Sequence, residues 1–342
     1  MRPLYSPVAF LAGLTLLASP IRVPAEPEPL ALEAEAWIAV DIGSGTTLVE
    51  HNADEERAMA SVTKLMTGLV VRAHADLSDR VRISEAAAAV GEAEVGLVAG
   101  EVWSVRDLLG AVLVRSGNDA AHALAEHVGG SVAGFADMMN DMAAGMGLEH
   151  SNFANPHGLD EDDHYTSARD LTVIAEAVLA DEVLAQLTRT GIIRFKPSPE
   201  GVSRIATNTN RLLNRYPGVI GLKTGYTGMA GRVLVSAAET EGQTVVAVVM
   251  GSENHFTDTA AILDYVSRAY SIRDRMLLPL AEQEGGSGPV GLLDLDEQRF
   301  VKSRRPLPSG RDAVTPWGET PGSERVEEMV REMIPIVLGG SA

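Results

Sequence analysis

An α+β protein, with an antiparallel sheet and a helical subdomain, is predicted from three observations. Short β-prone runs stand near the start, at 36–41 and 46–51, and again at 219–226, 232–238 and 244–250, while the residues between carry apolar side chains at helical spacing. Strands at both ends of one unit require a sheet completed by distant chain segments. The composition, 45% hydrophobic and 22% charged over 342 residues, suits a folded chain with a sizeable core.

The first residues read as an export signal: Arg2 supplies a charge, 8–18 form a short apolar run, and Val23-Pro24-Ala25 offers small residues for cleavage. That divides the chain into a signal at 1–25, a folded domain at 32–272 and a C-terminal extension at 273–342. Gly43-Ser44-Gly45 joins the first two strands as a hairpin. Leu65, Met66, Leu69 and Val70 then mark a helix over 61–74. A second helix, over 104–115, has Ser104 as N-cap and Asp107 at N3; Ser116-Gly117-Asn118 breaks it, and a third runs over 119–128. Helices follow at 135–147, where Met138, Met139, Met142 and Met146 read as core, and at 167–180, opened by Ser167 with Asp170 three residues on. The polar loop between them holds His150, His157 and His164 with Asp160, Glu161, Asp162 and Asp163. Its spacing fits no zinc or calcium template, so it is expected to be a solvated acidic loop, with no metal. After Tyr216-Pro217-Gly218 come the three late strands and an amphipathic helix at 258–270. Prolines then break every pattern until a final helix over 323–334, whose acidic face suits docking on the protein better than a membrane.

A formal charge of −19 disfavours nucleic acid and polybasic membrane docking, and leaves membrane association open. The absence of cysteine removes disulfides, thiol nucleophiles and zinc-thiolate sites. No cofactor is implied.

Lysine is scarce: only Lys64, Lys196, Lys223 and Lys302 occur among 28 basic side chains. Arginine cannot give up its proton in a protein, whereas a buried lysine beside another cation can, so a lysine kept among arginines is a candidate base. Ser61 and Lys64 lie three apart, one helical face, at a helix N-terminus whose free N–H groups favour an oxyanion. Taken alone, Ser61 reads better as a helix cap. Ser116-Gly117-Asn118 adds a hydroxyl and an amide, although Ser252-Glu253-Asn254 repeats that pattern. Lys223-Thr224-Gly225, followed by Tyr226 and Thr227, puts a cation, hydroxyls and backbone donors on one strand, where an extended peptide could pair and Lys223 and Thr227 could grip its carboxylate.

The order Ser-x-x-Lys, Ser-x-Asn, Lys-Thr-Gly is the signature of penicillin-binding proteins and class A β-lactamases. With 60–67 (ASVTKLMT), 115–121 (RSGNDAA), 155–160 (NPHGLD), 166–171 (TSARDL) and 221–227 (GLKTGYT), the stretch from 36 to 270 resembles the low-molecular-mass D-alanyl-D-alanine carboxypeptidases. The resemblance implies a β-lactamase/transpeptidase-like fold and a catalytic domain at 32–272. It implies a nucleophile at Ser61, a base at Lys64, a proton relay at Ser116 and an orienting amide at Asn118. The oxyanion would meet the backbone N–H groups of Ser61 and Tyr226. Substrates would be peptidoglycan stem peptides ending in D-Ala-D-Ala, β-lactams would be covalent inhibitors, and the protein would work in the bacterial cell envelope. Many relatives carry an arginine before a phenylalanine after the last strand; here Asn254-His255-Phe256 puts His255 there, predicting weaker binding at high pH if His255 holds the carboxylate.

A class A-like β-lactamase is the nearest alternative, disfavoured because no glutamate between the second and third motifs has an asparagine four residues on. A DD-endopeptidase shares the machinery, and a non-catalytic envelope interaction protein is disfavoured by the retention of every motif residue.

Overall fold

In the computed structural model, which describes residues 30–195, 203–240 and 242–277, the opening hairpin is β1 (Ala36–Asp41) and β2 (Thr46–His51). Asp41 caps its turn by accepting from the Gly43 N–H and the Ser44 hydroxyl. After β3 (Arg57–Ala58) comes a 3₁₀ turn, Ala60–Thr63, leading into α1 (Lys64–His74). Next are β4 (Arg80–Arg82), α2 (Glu85–Ala89), β5 (Val102–Ser104) and α3 (Val105–Gly110), which widens into a π-turn at Ala111–Arg115 before α4 (Asn118–Gly129) and α5 (Val132–Gly145). Then follow β6 (Tyr165–Thr166), α6 (Ala168–Ala180), α7 (Glu182–Arg189) and the small hairpin β7 (Ile192–Phe195) with β8 (Arg204–Thr207). A 3₁₀ turn at Arg211–Asn214 precedes β9 (Val219–Thr227), β10 (Gly231–Thr240), β11 (Gln243–Ser252) and α8 (His255–Leu277). Helix α8 runs past the expected domain boundary at 272; the export signal, the extension beyond Leu277 and the final helix lie outside the described residues.

The main sheet is antiparallel, in the order β2-β1-β11-β10-β9. The early hairpin thus joins the late strands through β1 and β11, paired from Ala36↔Met250 to Asp41↔Val245. The central strand β11 is buried on both faces, and its period of two divides it between two cores. Val245, Ala247 and Val249 pack on Ile262, Leu263 and Val266 of α8, whereas Val246, Val248 and Met250 face the larger core built from α1, α4 and α6. Each fully buried Val or Leu adds about 1.5–3 kcal/mol of transfer free energy. Met139 and Met146 are buried in the larger core with Met138 and Met142 packed against it, as expected for these methionines.

Local chemistry sets the boundaries. Ser104, Ser131 and Ser167 each cap a helix by accepting the N–H three residues on. Helix α5 therefore starts at Val132, ahead of the apolar spacing that marks it in sequence. Strand β9, which carries Lys223, is the sheet's edge, so one side of its backbone is left for another partner.

Candidate active site

Ser61 lies inside the 3₁₀ turn, three residues ahead of α1, rather than capping that helix: neither Met59 nor Thr63 caps by its side chain. The turn is entered through Ala60 at φ +50°, a left-handed conformation that costs a non-glycine residue about 1–2 kcal/mol. Ser116, at φ +69° between the π-turn and α4, and Glu92, at φ +70°, are also left-handed. Three of the four non-glycine residues in that region among the described residues thus surround one place, where such cost is tolerated for geometry.

Lys64 is fully buried. Its Nζ lies 2.9 Å from Ser61 Oγ and 2.8 Å from Asn118 Oδ1, and makes a short contact with the carbonyl oxygen of His157. The Asn118 amide is oriented by Nδ2, which donates to the Gly91 carbonyl at 3.0 Å, so Oδ1 must face the lysine. A neutral amine has two hydrogens and one lone pair. Asn118 Oδ1 and the His157 carbonyl only accept, so they take both hydrogens and leave the lone pair for the proton of Ser61. Burial drives the Lys64 amine well below the ordinary lysine range, and the charge of Lys223 drives it further; Asp119 and Glu92 act in the opposite sense. Lys223 is 1% exposed and is lowered to about 7 by burial.

Asn118 and Asp119 hold the neighbouring loop as well as the lysine. The Asp119 carboxylate accepts from the N–H groups of Val95 and Leu97, and the Asn118 N–H donates to the Ala93 carbonyl. The Ser116 side chain is buried next to them.

On β9, Lys223, Gly225 and Thr227 share one face and Thr224 and Tyr226 the other. The Lys223 ammonium donates to the Thr224 carbonyl at 2.8 Å. Gly225 packs on the turn that carries Ser61: a Cβ there would stand 2.9 Å from the Ser61 nitrogen and 2.9 Å from Ala60 Cβ. Thr227 Oγ1 accepts from the Ala230 N–H, closing the turn into β10. The Thr224 hydroxyl donates to Thr209, and the Tyr226 ring is exposed beneath the Arg232 guanidinium, 5.1 Å from its centroid. Only backbone from these two joins the Lys223 face.

The surroundings of His255 oppose a charged ring. Its ring is buried against Phe256, and burial, with the charges of Arg232 and Arg211, lowers it to about 4. It is neutral from pH 5 to 8 and brings no cation to a carboxylate; the cations there are the exposed Arg232 and Arg211, separated from it in sequence.

The acidic residues 160–163 of the polar loop are exposed, as expected, but the rest of the loop differs: Asn155, His157 and His164 are buried, and the loop docks on α1. Asn155 Oδ1 accepts from the N–H groups of His157 and Gly158, Pro156 O accepts from Thr67, and His157 O accepts from Lys64. These contacts use backbone carbonyls, which no side-chain spacing marks; Asn-Pro-His-Gly, with an Asx-forming residue beside a glycine, was the available signal.

A sequence model described as D-alanyl-D-alanine carboxypeptidase matches residues 23–254. The D-alanyl-D-alanine carboxypeptidase DacF of Bacillus subtilis is 36% identical over 247 residues, covering 71% of this chain and 63% of that protein. Across that protein and two Escherichia coli relatives, this chain spans 62–66% of their length. The crystal structure of a Streptomyces DD-transpeptidase superposes with a TM-score of 0.67 at 32% identity, over 69% of this chain and 98% of that one. A D-alanyl-D-alanine carboxypeptidase from Mycobacterium tuberculosis gives a TM-score of 0.67 at 32% identity, over 75% and 96%. With a family model over most of the chain, relatives at 32–36% identity and a shared fold, this chain belongs to the D-alanyl-D-alanine carboxypeptidase family.

Proposed function

We propose that this protein is a serine D-alanyl-D-alanine carboxypeptidase that removes the terminal D-alanine from peptidoglycan stem peptides in the bacterial cell envelope, after export directed by residues 1–25. The observation that carries the reading is the buried Lys64 amine, pushed well below the ordinary lysine range, whose Nζ contacts the acceptors Asn118 Oδ1 and His157 O and lies 2.9 Å from Ser61 Oγ, so that in its neutral form the lone pair faces the hydroxyl. Lys64 takes the hydroxyl proton as Ser61 Oγ attacks the carbonyl carbon between the two D-alanines, a general-base contribution of about 10²–10⁴-fold. The tetrahedral oxyanion is met by the N–H groups of Ser61 and Tyr226, each such donor being worth about 2.7–4 kcal/mol. The C–N bond then breaks, Ser116 passes a proton to the departing amine, and the ester on Ser61 is hydrolysed by water. The peptide lies along the free edge of β9, with its terminal carboxylate on Lys223 and Thr227.

β-Lactams offer the same carbonyl to Ser61 and leave a covalent adduct. The domain at 32–272 does this chemistry and 273–342 is a C-terminal extension. No helix among the described residues is long and apolar enough to cross a membrane. A second reading, transfer to an amine in place of water, is favoured by the Streptomyces relative, which bears the name carboxypeptidase as a sequence and DD-transpeptidase as a structure. Incubation with a pentapeptide ending in D-Ala-D-Ala, with and without an acceptor amine, tests both. Release of D-alanine with a tetrapeptide product supports the carboxypeptidase; a cross-linked product supports transfer; neither product refutes the proposal.

A further inference from the structure

Two side chains beside the reacting pair have no part in the chemistry above, and they form a directed chain of hydrogen bonds. His164 is 3% exposed, with its ring edge-on to Phe153. Its Nδ1 accepts from the Ala154 N–H at 3.0 Å, which leaves the ring proton on Nε2. Nε2 lies 2.8 Å from Thr63 Oγ1, and Thr63 Oγ1 lies 2.7 Å from the Ala60 carbonyl oxygen. A carbonyl can only accept, so the hydroxyl donates to it and the imidazole donates to the hydroxyl. The direction is settled at every step.

The carbonyl at the end belongs to Ala60, the strained residue at φ +50°. Its peptide group is the one whose N–H is the Ser61 N–H, and a peptide group is planar and rigid, so gripping the carbonyl oxygen aims the N–H. Gly158 closes the other side: at φ +86°, a Cβ there would lie 1.9 Å from that oxygen and 2.8 Å from Thr63 Oγ1. Loop 154–164 therefore holds both reacting groups at once, Lys64 through the His157 carbonyl and Ser61 through the Ala60 carbonyl.

We propose that Thr63 and His164 are positioning residues that aim the Ser61 N–H at the developing oxyanion by holding the opposite end of the same peptide plane. This rests on the function proposed above. His164 stays neutral above about pH 4, through burial and the charge of Lys64, so the chain of donors keeps its direction through the working range.

The test uses a chromogenic penicillin, separating the acylation rate constant from non-covalent affinity. Thr63→Val keeps the shape and removes the hydroxyl. Its acylation is expected to slow about 10–100-fold, the order for a misplaced oxyanion donor, with affinity within about threefold. The pH limbs stay in place, because Lys64 keeps Asn118 and His157, and Thr63→Ser restores the rate. Wild-type acylation by Thr63→Val, or a loss shared between rate and affinity, overturns the proposal. Should Thr63→Val fail to fold, His164→Gln, which keeps an N–H donor, is compared with His164→Leu. Slower acylation in the leucine variant alone supports the proposal and equal rates overturn it. A wild-type protein that forms no Ser61 adduct overturns the proposed function, and this inference with it.

Discussion

Replacing Lys223 by glutamine removes the one cation on the Ser61 side of β9, and its titration makes the consequence depend on pH. With Lys223 titrating at about 7 in the folded chain, the wild type loses its ammonium over the range where a peptide carboxylate stays ionised. The charged fraction falls to about one tenth at pH 8 and about one hundredth at pH 9, each unit being worth 1.36 kcal/mol. Lys223→Gln lacks the charge throughout. At pH 6.5 its kcat/KM for a D-Ala-D-Ala peptide should be lower by about 10–100-fold, the range for one charge-assisted hydrogen bond of about 1.5–3 kcal/mol. By pH 9 the two proteins should agree within about threefold, since the wild type has by then lost the same interaction. A second effect has a known sign: without Lys223, Lys64 holds its proton more tightly, so the acid limb of the variant moves upward, while burial, the larger cause, keeps it below the ordinary lysine range. The assay is initial-rate D-alanine release from pH 5 to 9. A ratio of wild type to variant that stays constant from pH 6 to 9 would refute the reasoning, because the charge on Lys223 would then have no part in binding.

Gly225→Ala places a methyl 2.9 Å from both the Ser61 nitrogen and Ala60 Cβ, where no flexible side-chain end can yield. Overpacking of about 1–3 kcal/mol should appear in the thermal midpoint and acylation should slow about 10²-fold; an alanine variant with wild-type acylation contradicts the close approach. His157 and His164 titrate at about 3 and about 4 when folded, against 6.5 when exposed, so the unfolded chain binds more protons between these values. The stability that these two histidines contribute should therefore be full above pH 6.5 and fall as pH drops toward 4, each contributing up to about 1.4 kcal/mol per unit; a urea midpoint unchanged between pH 7 and 5 would contradict this. His255 at about 4 is neutral over the assay range, so the KM ratio of His255→Gln to wild type should stay level from pH 5 to 8. A penalty concentrated at pH 5 would restore the cationic role.

What the sequence discloses is whatever local spacing encodes. Ser61 and Lys64 meet because they are three apart, and the strand periods of β1, β2, β9, β10 and β11 are visible as runs of Val, Ile and Ala bounded by Gly or Pro. The Ser104 and Ser167 caps are legible because capping is a contact over three residues, whereas Ser131 caps α5 ahead of the apolar spacing that marks that helix. The short helix α7 carries the same kind of signal, Asp181 accepting from Val183 and Leu184, but follows so closely on α6 that its own period is hidden. The state of His255 depends first on burial and then on Arg232 and Arg211, which only the fold brings near it, so no local spacing discloses its charge. The docking of loop 154–164 runs through backbone carbonyls and a buried histidine, whose acidic neighbours make the segment look solvated. Sequence thus marks the residues that react more readily than those that hold them.

The central claim is that Ser61, activated by the uncharged amine of Lys64, is acylated. Labelled penicillin added to the protein, followed by peptide mapping, measures this directly. The account predicts one adduct per chain, on Ser61, absent in Ser61→Ala and formed far more slowly in Lys64→Met. No adduct in the wild type, or one that persists in Ser61→Ala, would contradict it.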